Sequence, residues 1–365
     1  MSRSVLVAVL AAASLALAVA QPTTVDTRFD GFSYASNVIG YVNMTADLCD
    51  IQAAVAAGNF DEALSIYSTG KNSNAGLAKR TFFRFASYAP SASGAPEPMH
   101  ELFTMGRNST WLDEAIKAAF ASGDGYLAIG LIHVATMKYM LHEVDEGYNK
   151  IANYLADPAN GTSFINDASG APHNVDEGFA LWAGGSADAC QTLSGVAAKL
   201  AKDMGTVFIN RPFVNTAVTG LWNELLATAR LPTVDIQAYA DARKHFVRVL
   251  TIAGIQGVAH SAYSVQAAQA CGNEEQEQMA QAGVLTHWAY LEPMLVYRRT
   301  KPEIMSALAS AITAARPNYK TKVYPAVRSL LHSMGRSTRE VGTPDVRDVT
   351  EGWGCSARAI KSLTL

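Results

Sequence analysis

Asn59-Phe60-Asp61-Glu62-Ala63-Leu64-Ser65-Ile66-Tyr67-Ser68-Thr69-Gly70 is the stretch whose reading decides the fold. Asp61 and Glu62 fall in a first turn, where unpaired N–H groups favour negative charge. Phe60, Ala63, Leu64 and Tyr67 recur at three- and four-residue steps and share one face, and Gly70 is placed to close the helix. The same grammar runs through 110–122, 125–147, 187–204, 212–230, 235–254, 274–298, 302–315 and 320–334. Alanine is abundant, and apolar residues keep a helical rather than an alternating period. Loop signals such as Asp157-Pro158-Ala159-Asn160-Gly161 and Leu231-Pro232-Thr233 separate these segments, and 89–98, with three prolines, reads as a flexible loop. The fold class expected is all-α, a multi-helix bundle.

The N-terminus reads as an export signal. Arg3 gives a small positive region, Val5 to Val19 is apolar apart from Ser14, and Ala18-Val19-Ala20 offers the small-x-small pattern for cleavage before Gln21. No second long apolar stretch follows, and Ser362-Leu363-Thr364-Leu365 is too short and polar for a lipid-anchor tail. A secreted chain of the periplasmic or extracellular space, without membrane insertion, is expected. Sequons at Asn43-Met44-Thr45, Asn108-Ser109-Thr110 and Asn160-Gly161-Thr162 accord with export. So do the four widely spaced cysteines, Cys49, Cys190, Cys271 and Cys355. They lack C-x-x-C spacing and suit two disulfides, in any of three pairings. A net charge of −3 gives no basic face for nucleic acid.

Three short echoes follow one another in the same order in both halves. Asp50-Ile51-Gln52-Ala53 returns as Asp235-Ile236-Gln237-Ala238, and 118–124 returns as 267–273. Asp176-Glu177-Gly178-Phe179 is echoed by Thr350-Glu351-Gly352-Trp353. With the signal peptide taken as 1–20, a duplication predicts tandem-related helical halves at 21–195 and 196–365. The alternative is one continuous domain.

No nucleophile elbow, H-E-x-x-H helix, phosphate loop or dinucleotide fingerprint is present. What the chain does carry is carboxylates beside imidazoles at helical spacing. In His142-Glu143-Val144-Asp145-Glu146, Glu143 and Glu146 project together, as do His142 and Glu146. Oxygen and imidazole donors in one turn suit a transition-metal cation. The plain alternative is a solvated helix end, although acids at a C-terminus oppose the helix dipole unless a cation offsets them. Glu97-Pro98-Met99-His100-Glu101 has the Glu-x-x-His spacing of di-iron bundles, with Glu101 one turn from Glu97. Pro98 puts Glu97 at a helix start, so an acidic cap is the alternative there. His173-Asn174-Val175-Asp176-Glu177-Gly178-Phe179 repeats the Asp-Glu-Gly-aromatic core of Asp145 to Tyr148. A glycine after paired acids would let backbone turn close to an ion, and a helix N-cap by Asp176 is the alternative. His133 and His287 lie in apolar helices and read as core histidines, and His245, His260 and His332 receive no role.

Phe29-Asp30-Gly31-Phe32, the run from Asp50 to Gly58 with Ile66 to Ser73 after it, and Asp176-Glu177-Gly178-Phe179-Ala180-Leu181-Trp182 resemble a known family. It is that of the green-algal periplasmic iron-assimilation proteins, also described as high-CO2-inducible or low-iron-inducible periplasmic proteins. The resemblance spans the mature chain. It implies capture of ferrous or ferric iron outside the plasma membrane and its passage onward, with a plasma-membrane iron transporter or oxidase as partner. The choice of iron comes from this resemblance, whereas the ligand set expected (His142, Glu143, Glu146, Asp176, Glu177, Glu97, His100 and Glu101) comes from spacing. A ferroxidase-like enzyme and a metal-free cell-surface interaction protein are the competing readings.

Overall fold

The computed structural model describes residues 28–363 apart from 30, 77, 91–93, 105–106, 185–189 and 191. The signal peptide read at 1–20 and part of the 89–98 loop therefore lie outside the described residues. The fold is all-α. Among the described residues, β-structure amounts to three two-residue antiparallel pairs, Arg28–Phe29 with Phe32–Ser33, Asn74–Ala75 with Ala78–Lys79, and Val207–Phe208 with Arg211–Pro212.

Helices α1 (Ile39–Val42), α2 (Met44–Ala56) and α3 (Phe60–Thr69) open the chain. In α3 the Asn59 side chain accepts from the Glu62 N–H at 3.3 Å, and Gly70 ends the helix at φ 69°. Then come α4 (Phe82–Ser87), α5 (Pro98–Glu101), α6 (Trp111–Ala121) and the long α7 (Gly125–Ala156). A 3-10 turn at Gly161–Ile165 leads into α8 (Ala171–Ala183), followed by α9 (Leu193–Asp203), α10 (Phe213–Ala229), α11 (Ile236–Cys271) and α12 (Glu274–Tyr297). After α13 (Pro302–Ile312), a π turn at Tyr319–Val323 runs into α14 (Tyr324–Ser333). Three short helices finish the chain: α15 (Thr338–Val341), α16 (Val346–Val349) and α17 (Ala357–Leu363).

One apolar cluster runs from Phe32 to Leu363. Helices on either side of residue 195 pack on one another, α7 against α12 and α8 against α10. At the centre lies α11, in which every residue from Leu250 to Ala259 is buried. A helix apolar all round needs neighbours on every side. The one long polar side chain in that run, Gln256, donates from Nε2 to Thr206 Oγ1 at 2.9 Å and to the Val341 carbonyl at 3.1 Å, while its Oε1 is buried without a partner. Two disulfides, Cys49–Cys190 and Cys271–Cys355, select one of the three pairings. They close loops of 141 and 84 residues. By chain entropy each closure disfavours the unfolded state by about 4–5 kcal/mol.

Of the three echoes, only the second marks the same geometry twice. Gly123 and Asp124 turn α6 into α7, as Gly272 and Asn273 turn α11 into α12. Asp124 and Asn273 each cap the following helix, accepting from Leu127 N–H at 2.9 Å and from Gln276 N–H at 3.1 Å. The first echo lies inside α2 in one copy and at the start of α11 in the other. The third lies inside α8 in one copy and in a turn after α16 in the other.

Three segments depart from the sequence reading, and glycine explains each. α7 continues nine residues past Gly147, α11 continues well past Gly254, and the Asp176–Phe179 segment is the middle of a helix rather than a loop. These glycines are not stops and do not wrap an ion; they let helices approach closely. A Cβ on Gly178 would strike the Trp222 indole of α10, one on Gly147 would strike the Tyr239 hydroxyl, and one on Gly254 would strike Leu291. Gly220, on the exposed face of α10, has open space around it.

Substitutions at these two kinds of glycine should have opposite signs. Gly178→Ala overpacks the α8–α10 contact and is expected to lower the unfolding free energy by about 1–3 kcal/mol. Gly220→Ala is expected to raise it by about 0.5–1 kcal/mol through helix propensity alone. Urea midpoints at unchanged m-value read both.

Candidate metal centre

α7 and α8 form an antiparallel hairpin. Residue 147 of α7 faces the Ala171 backbone, Glu143 meets Asn174 one turn on, and Glu143 also meets Glu177. Because α7 extends to Ala156, residues 142–146 lie in mid-helix, where the dipole argument made for a C-terminus has no force. What distinguishes them is burial. His142 is 5% exposed and Glu143 1%. One ligand atom from each of His142, Glu143 and Glu146 lies within 4.8 Å of the others, and among the described residues this is the one such group.

Across the hairpin, each helix presents an imidazole facing a glutamate one turn further on. On α7, His142 Nε2 stands 3.3 Å from Glu146, while Nδ1 is 2.7 Å from Glu97 Oε2. On α8, His173 Nε2 stands 3.0 Å from Glu177 Oε1, while Nδ1 is 2.8 Å from Ser36 Oγ. The Ser36 hydroxyl donates to Asp176 Oδ2 at 2.6 Å, so it accepts from His173 Nδ1–H. Partners at Nδ1 that orient the ring and leave Nε2 for a cation are the usual backing of metal-ligating histidines. Between the two pairs, Glu143 and Glu177 lie close enough for each to act on the ionisation of the other. Asn174 Nδ2 donates to Glu143 Oε2 at 2.6 Å and the Tyr41 hydroxyl to Oε1 at 3.4 Å. Glu146, with 38% of its side chain exposed and paired to Lys150 at 3.1 Å, stands at the mouth.

The remaining expected ligands fall outside this group. Glu97, 7% exposed, sits behind His142 and also accepts from the Tyr88 hydroxyl at 3.1 Å. His100 is fully buried behind it, packed edge-on to Tyr88, with neither ring nitrogen hydrogen-bonded. Glu101 is exposed and accepts from the Glu97 N–H at 3.4 Å, within its own turn. Asp176, about 100° around α8 from Glu177, ties down the chain before α1. Its Oδ2 accepts from the Ala35 N–H at 2.9 Å and the Ser36 N–H at 2.6 Å. It is neither a cap nor beside Glu143, and it reaches the centre through Ser36 and His173. Asp145 has the matching role on α7. It accepts from the Met99 and His100 N–H groups at the start of α5, and from Arg243 at 3.0 Å, which places Glu97.

Burial sets the electrostatics. It raises Glu143 well above the ordinary carboxyl range, and the adjacent Glu177 charge adds to that. Burial also lifts Glu177 to about 7, Asp145 to about 7 and Asp176 to about 6. Two adjacent carboxyl groups out of water resist ionising together, so the pair retains a proton towards neutral pH. For His142, burial opposes the imidazolium. The Glu97 hydrogen bond and the charges of Glu143, Glu97 and Glu146 outweigh it and hold its pKa above the usual value. His173 is shifted down, by burial first, and His100 is pushed down to about 2 by burial together with the charges of Lys138 and His142. Without a cation, the centre balances its carboxylates with protons and one imidazolium. Carboxylate oxygens and imidazole nitrogens in this number match iron as well as zinc.

His173, Ser36, Tyr41 and Asn174 were not among the residues expected. A signal for His173 was present, because His173 and Glu177 have the four-residue spacing of His142 and Glu146. Ser36 and Tyr41 are brought in by tertiary packing alone.

An all-α chain with two disulfides, in which no described helix is long and apolar enough to cross a membrane, belongs with the disulfide-stabilised proteins of oxidising compartments. A family model described as low iron-inducible periplasmic protein matches residues 4–364, and the chain belongs to that family. It is thus a periplasmic protein of a family linked to iron assimilation. No curated protein and no solved structure matches it.

The raised carboxyl groups fix the sign of a pH effect. The folded chain binds more protons than the unfolded one between about pH 4, where free carboxyls titrate, and the folded values near 7. Stability of the metal-free protein is therefore fully present below that window and falls as pH rises through it. Denaturant midpoints from pH 5 to 8 should decline, and Glu143→Gln, which carries no charge to bury, should flatten the decline.

Proposed function

We propose that this protein captures iron outside the plasma membrane in the α7–α8 hairpin. His142, Glu143 and Glu146 bind from one helix, and Glu177 with His173 closes the shell from the other. The observation that carries the reading is the convergence of ligand atoms from the buried His142 and Glu143 and from Glu146 within 4.8 Å, with the buried Glu177 carboxyl near enough to act on Glu143. Carboxylates confined together out of water are destabilising unless protonated or bound to a cation, so the site is built to exchange protons for metal. The family's link to low iron supports iron as that metal.

Capture and release follow from the same residues. Glu146, partly exposed beside Lys150, makes the first contact with arriving metal. Glu143 and Glu177 lose the proton they share as the ion moves inward. Glu97 and the Ser36–Asp176 pair keep both imidazoles aimed. Mild acid reprotonates the carboxylates and frees the ion, for hand-over to a plasma-membrane iron transporter or oxidase.

The second imidazole–carboxylate pair, His173 with Glu177, lends some support to a ferroxidase-like reading. Oxygen consumption on ferrous addition separates that from a carrier, for which none is expected.

Calorimetric titration of the secreted protein with ferrous and with ferric iron should show saturable binding. About one to two protons should be released per ion near neutral pH, from the Glu143–Glu177 pair and from the His142 imidazolium, read from buffers of different ionisation enthalpy. Glu143→Ala with Glu146→Ala should abolish binding. Glu177→Gln, which preserves shape, should weaken it by about 10–100-fold. Unchanged binding in both variants would overturn the assignment.

A further inference from the structure

About nine residues from the centre along α7, or about 14 Å, His133 lines a separate cavity. Its volume is about 760 Å³, within the range of small-molecule sites. Its walls come from α7, α8, α9, α11, α12 and the segment around α16, which Cys271–Cys355 ties back to the end of α11. The lining is mostly apolar, with Ile129, Met137, Leu193 and Leu200, and it carries the rings of Tyr126, Trp182, Tyr290 and Trp353.

Three polar atoms of this wall are buried without a hydrogen bond or ion pair: Trp182 Nε1, Ser264 Oγ and Gln276 Oε1. Trp182 Nε1 belongs to a residue 1% exposed, and Ser264 Oγ to one 4% exposed. An indole N–H out of water is left unsatisfied at a cost unless an acceptor reaches it. The three imidazoles on the wall do not form a metal site. His287 Nδ1 is 3.1 Å from Ser261 Oγ, and His260 is 2.9 Å from Asp203, which also pairs with Lys199. Among the described residues no metal-sized group of ligand atoms includes them. Burial keeps His287 neutral, with a pKa near 3. Of the charged residues on the lining, Lys199 and Glu351 are exposed and Asp348 is half-buried; Lys199 pairs with Asp203 at 2.6 Å and Glu351 with Lys202 at 3.6 Å. The lining thus presents rings, aliphatic groups and neutral hydrogen-bonding groups, with Asp348 its one half-buried carboxylate.

We propose that this cavity binds an uncharged, ring-bearing organic molecule whose carbonyl or ether oxygen accepts from Trp182 Nε1 and Ser264 Oγ. Aromatic walls favour a flat ring by offset or edge-on stacking. The site is independent of the iron centre, and it gives the protein a second cargo.

Nile red, uncharged, polycyclic and bearing a carbonyl, is the probe. Titrated into the full-length secreted protein, it should saturate at one site per chain with blue-shifted emission. Val196→Trp and Met279→Trp each add an indole to the lining, at a half-buried and at an exposed position respectively. Either should weaken binding by about tenfold or more, and whichever keeps the wild-type circular dichroism decides. Trp182→Phe keeps a ring and removes the donor, and should weaken it several-fold. Iron titration of all three variants should match wild type, so failure here and failure at the iron centre are told apart. Non-saturable emission, or saturation that both indole variants leave intact, would overturn the proposal and leave the cavity a water-filled space.

Discussion

Glu143 on α7 and Glu177 on α8 are pressed together out of water by a hairpin that cannot relax without opening the core. Gly147 lets α7 lie against Tyr239 of α11, and Gly178 lets α8 lie against Trp222 of α10, so each helix of the hairpin is seated on the core by packing rather than by the acids. The acids meet because apolar contacts hold them there, and they bear the electrostatic cost. A site of this kind is strained without a cation and relieved by one.

The neighbouring acids have a different duty. Asp145 and Asp176 each stand one residue from a carboxylate of the centre and therefore point away from it, around the helix. Asp145 holds the start of α5, which positions Glu97 behind His142. Asp176 holds Ser36, which positions His173. Two layers result, an inner one of glutamates and imidazoles and an outer one of aspartates that aim them. This division explains why the repeated Asp-Glu-Gly motif recurs in the two helices: the aspartate braces, the glutamate faces the centre or its mouth, and the glycine admits the neighbouring helix.

Helix content, export and the 142–146 cluster could be read from the chain because each is a local matter of period, composition and spacing. The length of α7 could not, since Gly147 has the same appearance whether it stops a helix or packs one. α8 was obscured for a related reason. Nearly every residue from Asn174 to Ala183 is buried, so no polar face marks a helical period. Glu97 was found through its spacing to His100, yet its partner is His142, 45 residues away, a contact only the tertiary fold supplies. His173 was legible in principle, by the spacing it shares with His142. Asp176 shows the limit of reasoning from acid clusters: adjacency in sequence to Glu177 places it on a different face of the helix.

The central claim, that iron is gripped between α7 and α8, is tested most directly by anomalous diffraction at the iron edge from crystals soaked in ferrous or ferric salt. The account predicts a peak bounded by His142, Glu143, Glu146 and Glu177, and its loss in the Glu143→Ala with Glu146→Ala variant. A peak elsewhere on the chain, or none at saturating iron, would contradict it.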